Sequence, residues 1–199
     1  MTKQHTDYIK DQPTDTEILL GVINRFIGLF SRQIQKQTKL ETSKEYPFVA
    51  MDTRQVFEEL LLARDYIVKK DPSTNLQDKR FLDVGCGFGN VMLFAEQMGF
   101  DVYGIEKDEA SISRALKFFD RSQIINEDIK TFDKYKEFDV VYFFCPLTEG
   151  EREFEEFLED QIRPEAILIG NYKRSKKIET DRRFKRLSDS LPVWEKVSP

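Results

Sequence analysis

Histidine is almost missing from this chain: one residue, His5, stands among 199. Imidazole acid–base catalysis, Ser–His nucleophiles and imidazole metal sites all need that residue inside the fold. His5 instead lies in the polar stretch 1–14, read as a flexible tail, so imidazole catalysis is not expected. Cysteine is nearly as scarce, with Cys86 and Cys145 alone. Two distant thiols build neither a disulfide framework nor a zinc site, and they fit a reducing, cytoplasmic setting. No apolar run reaches the roughly 20 residues that cross a bilayer. The run from Ile18 to Phe30 is interrupted by Asn24 and Arg25, and nothing at the N-terminus reads as a secretory leader. A basic surplus is absent too: 36 acids face 31 Lys plus Arg, for a net charge of -5. That balance argues against an overall basic surface that holds nucleic acid non-specifically.

What is present is glycine at a telling spacing. Residues 81–90 read Phe-Leu-Asp-Val-Gly-Cys-Gly-Phe-Gly-Asn. The apolar start has the character of a short buried strand, and the glycines that break it are followed by a helical pattern. Gly85, Gly87 and Gly89 allow a ligand to lie against bare backbone and allow positive φ. The following helix then turns its first amides toward that ligand. The dinucleotide fingerprint G-x-G-x-x-G would need its third glycine at position 90, where Asn90 stands.

Acids recur at the ends of the next apolar runs. Asp101-Val-Tyr-Gly-Ile-Glu106 closes on a carboxylate 21 positions after Gly85, close to the roughly 20 expected for a group that reaches ribose hydroxyls. Gln123-Ile-Ile-Asn-Glu-Asp128 is a third strand-like run ending in acids, and Phe138 to Pro146 is a fourth. An acid two places before G-x-G-x-G, followed by these strand-end acids, resembles the class I S-adenosylmethionine (SAM) methyltransferases. The resemblance implies SAM as cofactor, seated by Asp83, Gly85, Cys86, Gly87 and Gly89. It also implies that Glu106 binds the ribose, that Asp128 binds the adenine amino group, and that the Ile129 amide faces the ring.

The loop after the fourth strand carries Cys145 and Pro146, where the resemblance places the methyl acceptor. The Asp/Asn-Pro-Pro-Tyr/Phe pattern of exocyclic-amine methyltransferases is reduced here to a single proline, Pro146. A narrower likeness covers residues 46–107. There Tyr46-Pro-Phe-Val and Tyr103-Gly-Ile-Glu-Lys107 are similar to segments of non-SET lysine methyltransferases, which implies a protein lysine as one acceptor; a small molecule stands beside it as the other. A catalytically silent, partner-binding relative and a nicotinamide-dependent oxidoreductase stand as alternatives.

The rest of the chain organises around this motif. Thr14 or Asp15 can cap a helix whose apolar stripe runs from Leu19 to Ile34, and Thr53 starts a second helix through Val56, Leu60 and Ile67. These form an N-terminal helical extension over 15–75, ahead of a SAM-binding Rossmann-like domain over 76–199. From Arg80, strands 81–84, 101–105, 122–126, 138–144 and 166–170 alternate with helices near 90–98, 109–119 and 151–162. The expectation is a doubly wound, mostly parallel α/β sheet. Beyond it only Val193 to Val197 reads as strand, so the C-terminal strand region is expected to be abbreviated. An acidic run (149–160) and a basic run (173–186) each read as a solvated face. The basic run also keeps a claim on an acidic or phosphate-bearing partner.

Overall fold

The computed structural model describes residues 14–39, 50–144 and 147–197. Thr14, not Asp15, opens helix α1 (Asp15–Gln37). Its Oγ1 accepts the Glu17 amide at 3.2 Å while Glu17 Oε2 accepts the Thr14 amide at 2.8 Å, a capping box that satisfies two otherwise orphaned donors. Asp52 caps α2 (Thr53–Lys70) by accepting the amides of Arg54 and Gln55. The two helices are tied together here: Asn24 donates to Asp52 and accepts from Thr53 Oγ1, and Arg54 pairs with Glu17.

Among the described residues seven strands and three α-helices follow. They are β1 (Arg80–Val84), α3 (Asn90–Gln97), β2 (Asp101–Glu106), α4 (Glu109–Ala115), β3 (Ile124–Asn126), β4 (Val140–Phe144), α5 (Glu151–Gln161), β5 (Ile167–Asn171), β6 (Phe184–Arg186) and β7 (Val193–Lys196). The sheet order is β3-β2-β1-β4-β5-β7-β6. β1 to β5 run parallel, whereas β7 is antiparallel to both β5 and β6. The order reverses between β1 and β4, which opens a crevice at the carboxyl ends of these strands. Both faces of the sheet are covered, so β1 is buried at every position from Phe81 to Val84, with the apolar Phe81, Leu82 and Val84 at 2 % exposure or less.

The expected doubly wound sheet is present, and its C-terminal strands are short, at three and four residues. They are nevertheless two strands, not one. β6 escaped the sequence reading because Phe184 is its sole buried residue beside exposed Lys185 and Arg186. Three residues are too few to display an alternating pattern.

The two N-terminal helices pack differently. α2 sinks Val56, Leu60 and Ala63 into the same cluster as Phe81, Val102 and Tyr142 of the sheet. α1 buries only Ile27, Ser31 and Ile34 from its C-terminal half, leaving Ile18, Leu19, Val22, Phe26 and Leu29 exposed. The buried half lies on the glycine turn, where Phe88 is clasped by Ile27 and Ile34 and its ring stands 5.7 Å from that of Phe30.

The two charge runs are not separate solvated faces. Glu151, Glu155 and Glu159, four residues apart on α5, are buried at 4 % exposure or less. They meet the basic run directly: Lys173 Nζ lies 3.2 Å from Glu155 and 2.6 Å from Glu159, and Arg174 Nε lies 2.6 Å from Glu151. Farther out, Lys177 pairs with Glu156, Arg183 with Asp160 and Asp181, and Arg186 with Glu179. Five of the eight cations of residues 173–186 are therefore already neutralised within the chain. Like charges adjacent in sequence read as solvated because their partners, some 14 to 23 residues away, are invisible to a local window.

Candidate cofactor and acceptor site

The glycine turn is latched to β2. The amides of Gly85 and Cys86 both donate to the Ile105 carbonyl at 2.9 Å. Gly85, Gly87 and Gly89 all adopt positive φ, at 77°, 57° and 86°, a region that disfavours residues with a Cβ. At Gly89 a Cβ would also collide with the Phe119 ring. Gly89 is the N-cap of α3, so the first amides of that helix face the turn.

Asp83 ends up at the centre of this arrangement. It is 3 % exposed, and its Oδ2 has no hydrogen-bond partner. Burial, with the Glu106 charge added, pushes its pKa up to about 8. A buried, unpaired carboxylate oxygen is costly unless something arrives to meet it. Glu106, at the end of β2, accepts from three amides: Gly87 at 2.9 Å, Lys107 at 2.7 Å and Asp108 at 2.8 Å. Burial raises its pKa, and these amides oppose the shift. Glu106 is therefore a strut between β2 and the glycine turn as well as a candidate ribose ligand.

The remaining sequence candidates fall around the same edge. Asp128 follows β3 and is held by Lys107 Nζ at 2.8 Å and by the Lys130 amide at 2.9 Å. Burial works against its ionisation, but these partners prevail and its pKa lies below the ordinary value. Ile129 turns its side chain into the core, and its carbonyl accepts from Tyr135 Oη at 2.6 Å. Cys86 is 2 % exposed, and burial holds its thiol well above the usual range. Only the backbone of Cys86 is offered to a ligand, because its sulfur packs over Gly104. A Cβ at Gly104 would sit 2.5 Å from that sulfur and 2.6 Å from Met92 Sδ. Cys145 and Pro146, the expected acceptor loop, lie outside the described residues, as do the 1–13 portion of the expected tail and residues 46–49 of the narrower likeness. Among the described residues no cluster of acids, Cys or His could hold a metal, and no helix is long and apolar enough to cross a membrane.

A second group at the same edge was not among the sequence candidates. At the ends of β4 and β5 a cavity of about 280 Å³ is lined by Ala50, Met51, Asp52, Gln55, Phe144 and Tyr172. Behind it Glu59 is wholly buried. Its Oε1 accepts from Gln55 Nε2 at 2.9 Å and its Oε2 accepts from Asn171 Nδ2 at 2.9 Å. Burial pushes the Glu59 pKa up to about 7, against the pull of these two hydrogen bonds. A mid-helix glutamate reads from sequence as a solvated position; only its spacing on the Val56, Leu60 and Ala63 side of α2 hinted otherwise.

A parallel sheet with its reversal at β1/β4, a positive-φ glycine turn before a helix, and an acid at the end of β2 define a nucleoside-binding α/β domain. A family model described as a methyltransferase domain matches residues 75–186, and the chain belongs to that family, with the seven-stranded class I fold and SAM as its cofactor. Two ubiquinone biosynthesis O-methyltransferases from Rickettsia bellii, strains OSU 85-389 and RML369-C, are each 30% identical over 122 residues. That match takes in 57% of this chain and 51% of theirs, so the chain spans about half the length of the curated relatives it matches. Among solved structures, the plantazolicin methyltransferase BpumL with S-adenosylhomocysteine bound is 23% identical with a TM-score of 0.47, over 75% of this chain and 61% of its own. DesVI of Streptomyces venezuelae is 15% identical with a TM-score of 0.44, over 80% of this chain and 58% of its own.

Proposed function

We propose that the chain binds SAM along the carboxyl ends of β1, β2 and β3 and methylates a small acceptor held at the ends of β4 and β5. When bound, SAM supplies a methyl carbon on a cationic sulfur: the acceptor's lone pair forms the new bond as the sulfur–carbon bond breaks, its electron pair returns to sulfur, and the acceptor's proton passes to solvent. The observation that carries the reading is Asp83 Oδ2, a buried oxygen without a partner beside a turn of bare backbone. A cationic ammonium such as that of the methionine part would satisfy it and favour its ionised form.

The other residues take roles that follow from their positions. Gly85, Cys86, Gly87 and Gly89 offer backbone to the ligand. Glu106 has one acceptor site left, on Oε2, for a ribose hydroxyl, because two carboxylate oxygens offer about four acceptor sites and three amides occupy the others. Asp128 would share its carboxylate between Lys107 and the adenine amine, with the Ile129 amide beside the ring. Cys145 and Pro146, directly after β4, keep the acceptor-loop role. The Rickettsia relatives are O-methyltransferases by name, which favours an oxygen acceptor over a lysine amine.

Calorimetric titration with SAM, S-adenosylhomocysteine and NADH tests the cofactor assignment. The first two are expected to bind and NADH is not, whereas tight NADH binding without SAM binding would overturn it. Mass spectrometry of cell extract incubated with labelled SAM and the protein tests activity, since a catalytically silent chain labels nothing.

A further inference from the structure

The cavity at the ends of β4 and β5 is lined by one residue, Gln55, whose amide orientation the surrounding hydrogen bonds dictate. Gln55 Nε2 donates to Glu59 Oε1 at 2.9 Å and to Asn171 Oδ1 at 2.8 Å. An amide nitrogen has two hydrogens, so both are committed. The Asn171 amide is oriented in turn, since its Nδ2 donates to the other Glu59 oxygen at 2.9 Å. A flip of Gln55 would set its carbonyl oxygen against a carboxylate oxygen and the Asn171 carbonyl, losing both bonds. Gln55 therefore presents Oε1 as a fixed acceptor, and Gln55 lines the cavity.

The other walls are mostly apolar; Asp52 also lines the cavity, but its carboxylate is engaged by the Arg54 and Gln55 amides and by Asn24. Met51 is 4 % exposed, and the rings of Phe144 and Tyr172 are 5.6 Å apart. Tyr172 has a φ of 53° and is 68 % exposed. An aromatic residue in the left-handed region is uncommon, and such conformations gather at ligand clamps. The place is also right: Phe143, one residue before Phe144, pairs with Val84, the last residue before the glycine turn. Adjacent strands lie roughly 5 Å apart, so the cavity shares the carboxyl edge with the cofactor seat. At about 280 Å³ it is at the small end of ligand pockets, which run from roughly 300 Å³ upward.

We propose that this cavity is the methyl-acceptor subsite and that Gln55 Oε1 selects a small, largely apolar acceptor presenting an O–H or N–H donor. Glu59 and Asn171 are positioning residues that hold the Gln55 amide in that orientation. The proposal rests on the glycine turn being the cofactor seat.

The test uses the full chain saturated with S-adenosylhomocysteine and compares phenol with anisole, and aniline with N,N-dimethylaniline, by ligand-observed NMR titration. Each pair keeps the ring and removes the donor. Phenol and aniline are expected to bind about threefold to tenfold tighter than their methylated counterparts, the worth of one neutral hydrogen bond. Gln55→Met should erase that ratio, and Glu59→Gln should reduce it by freeing the Gln55 amide to turn, both with unchanged S-adenosylhomocysteine affinity. Tyr172→Ala, at an exposed position, should weaken all four probes while keeping the ratio. Equal binding of the paired probes to the wild type, no binding by any probe, or a ratio that survives Gln55→Met would overturn the proposal. Loss of S-adenosylhomocysteine binding by the wild type would instead overturn the cofactor reading beneath it.

Discussion

The two ends of the sheet's carboxyl edge are built from different material. At β1 and β2 the candidate site is mostly backbone: three positive-φ glycines, the amides that open α3, and a strand-end acid clasping the Gly87 amide, nearly all within 81–108. At β4 and β5 it is side chain: Gln55 and Glu59 from α2 meet Asn171 across 116 and 112 residues of sequence. Next to them, buried Glu155 and Glu159 are neutralised by Lys173. A backbone cradle tolerates many side chains and no Cβ at its glycines. A side-chain cluster depends on every partner being present, because a buried charge without its counter-charge is costly.

Breaking the side-chain end should have the largest effect on stability. Lys173→Met leaves Glu155 and Glu159 buried without their cation, and we expect a loss of about 3–5 kcal/mol in denaturant unfolding. S-adenosylhomocysteine affinity at a temperature where the variant is folded should be unchanged. A variant as stable as the wild type would show that the Glu155 contacts to the Arg174 and Ser175 amides suffice alone.

Breaking the backbone end should do the reverse. Gly87→Val puts a β-branched side chain at a φ of 57°, where it is strained and fills the approach to the turn. Cofactor affinity is expected to fall more than about 100-fold, or roughly 2.8 kcal/mol, with most of the circular dichroism signal retained. Normal binding by this variant would rule out the turn as the seat.

Glu106→Ala should fall between the two kinds of effect, because Glu106 is both strut and ligand. A tenfold to hundredfold loss of SAM affinity, about 1.4–2.8 kcal/mol, should come with a small drop in melting temperature, since the Gly87 amide loses its acceptor. An unchanged dissociation constant in a folded variant would leave Glu106 only the strut.

The fourth prediction concerns pH. Asp83 and Glu59 have folded-state pKa values pushed up to about 8 and about 7, above their unfolded values near 4. The folded chain therefore holds protons that the unfolded chain has released. Stability is greatest below the unfolded pKa values and falls as pH rises toward 7 to 8, by at most about 1.4 kcal/mol per pH unit for each group. Denaturation midpoints at pH 5, 6, 7 and 8 should decline, and Glu59→Gln should flatten the decline below pH 7. A wild type that gains stability over this range would mean both carboxyls ionise freely.

The sequence by itself determined the backbone-built half of this protein. Asp83, the three glycines, Glu106 and Asp128 could be read because a positive-φ turn, a strand end and a helix start impose their demands on residues adjacent in the chain. The same locality explains the Thr14 helix start, the second helix beginning at Thr53 and the succession of the first five strands along the chain. Tertiary structure alone decided the rest. It paired the acidic and basic runs that each looked solvated, it made a strand of Phe184–Arg186 by laying it beside β7, and it buried only half of the α1 stripe. It also assembled Gln55, Glu59 and Asn171 into one hydrogen-bonded group. A hydrogen bond or ion pair joins atoms through space, and when its partners lie a hundred residues apart neither one's neighbourhood in the chain carries a mark of the other.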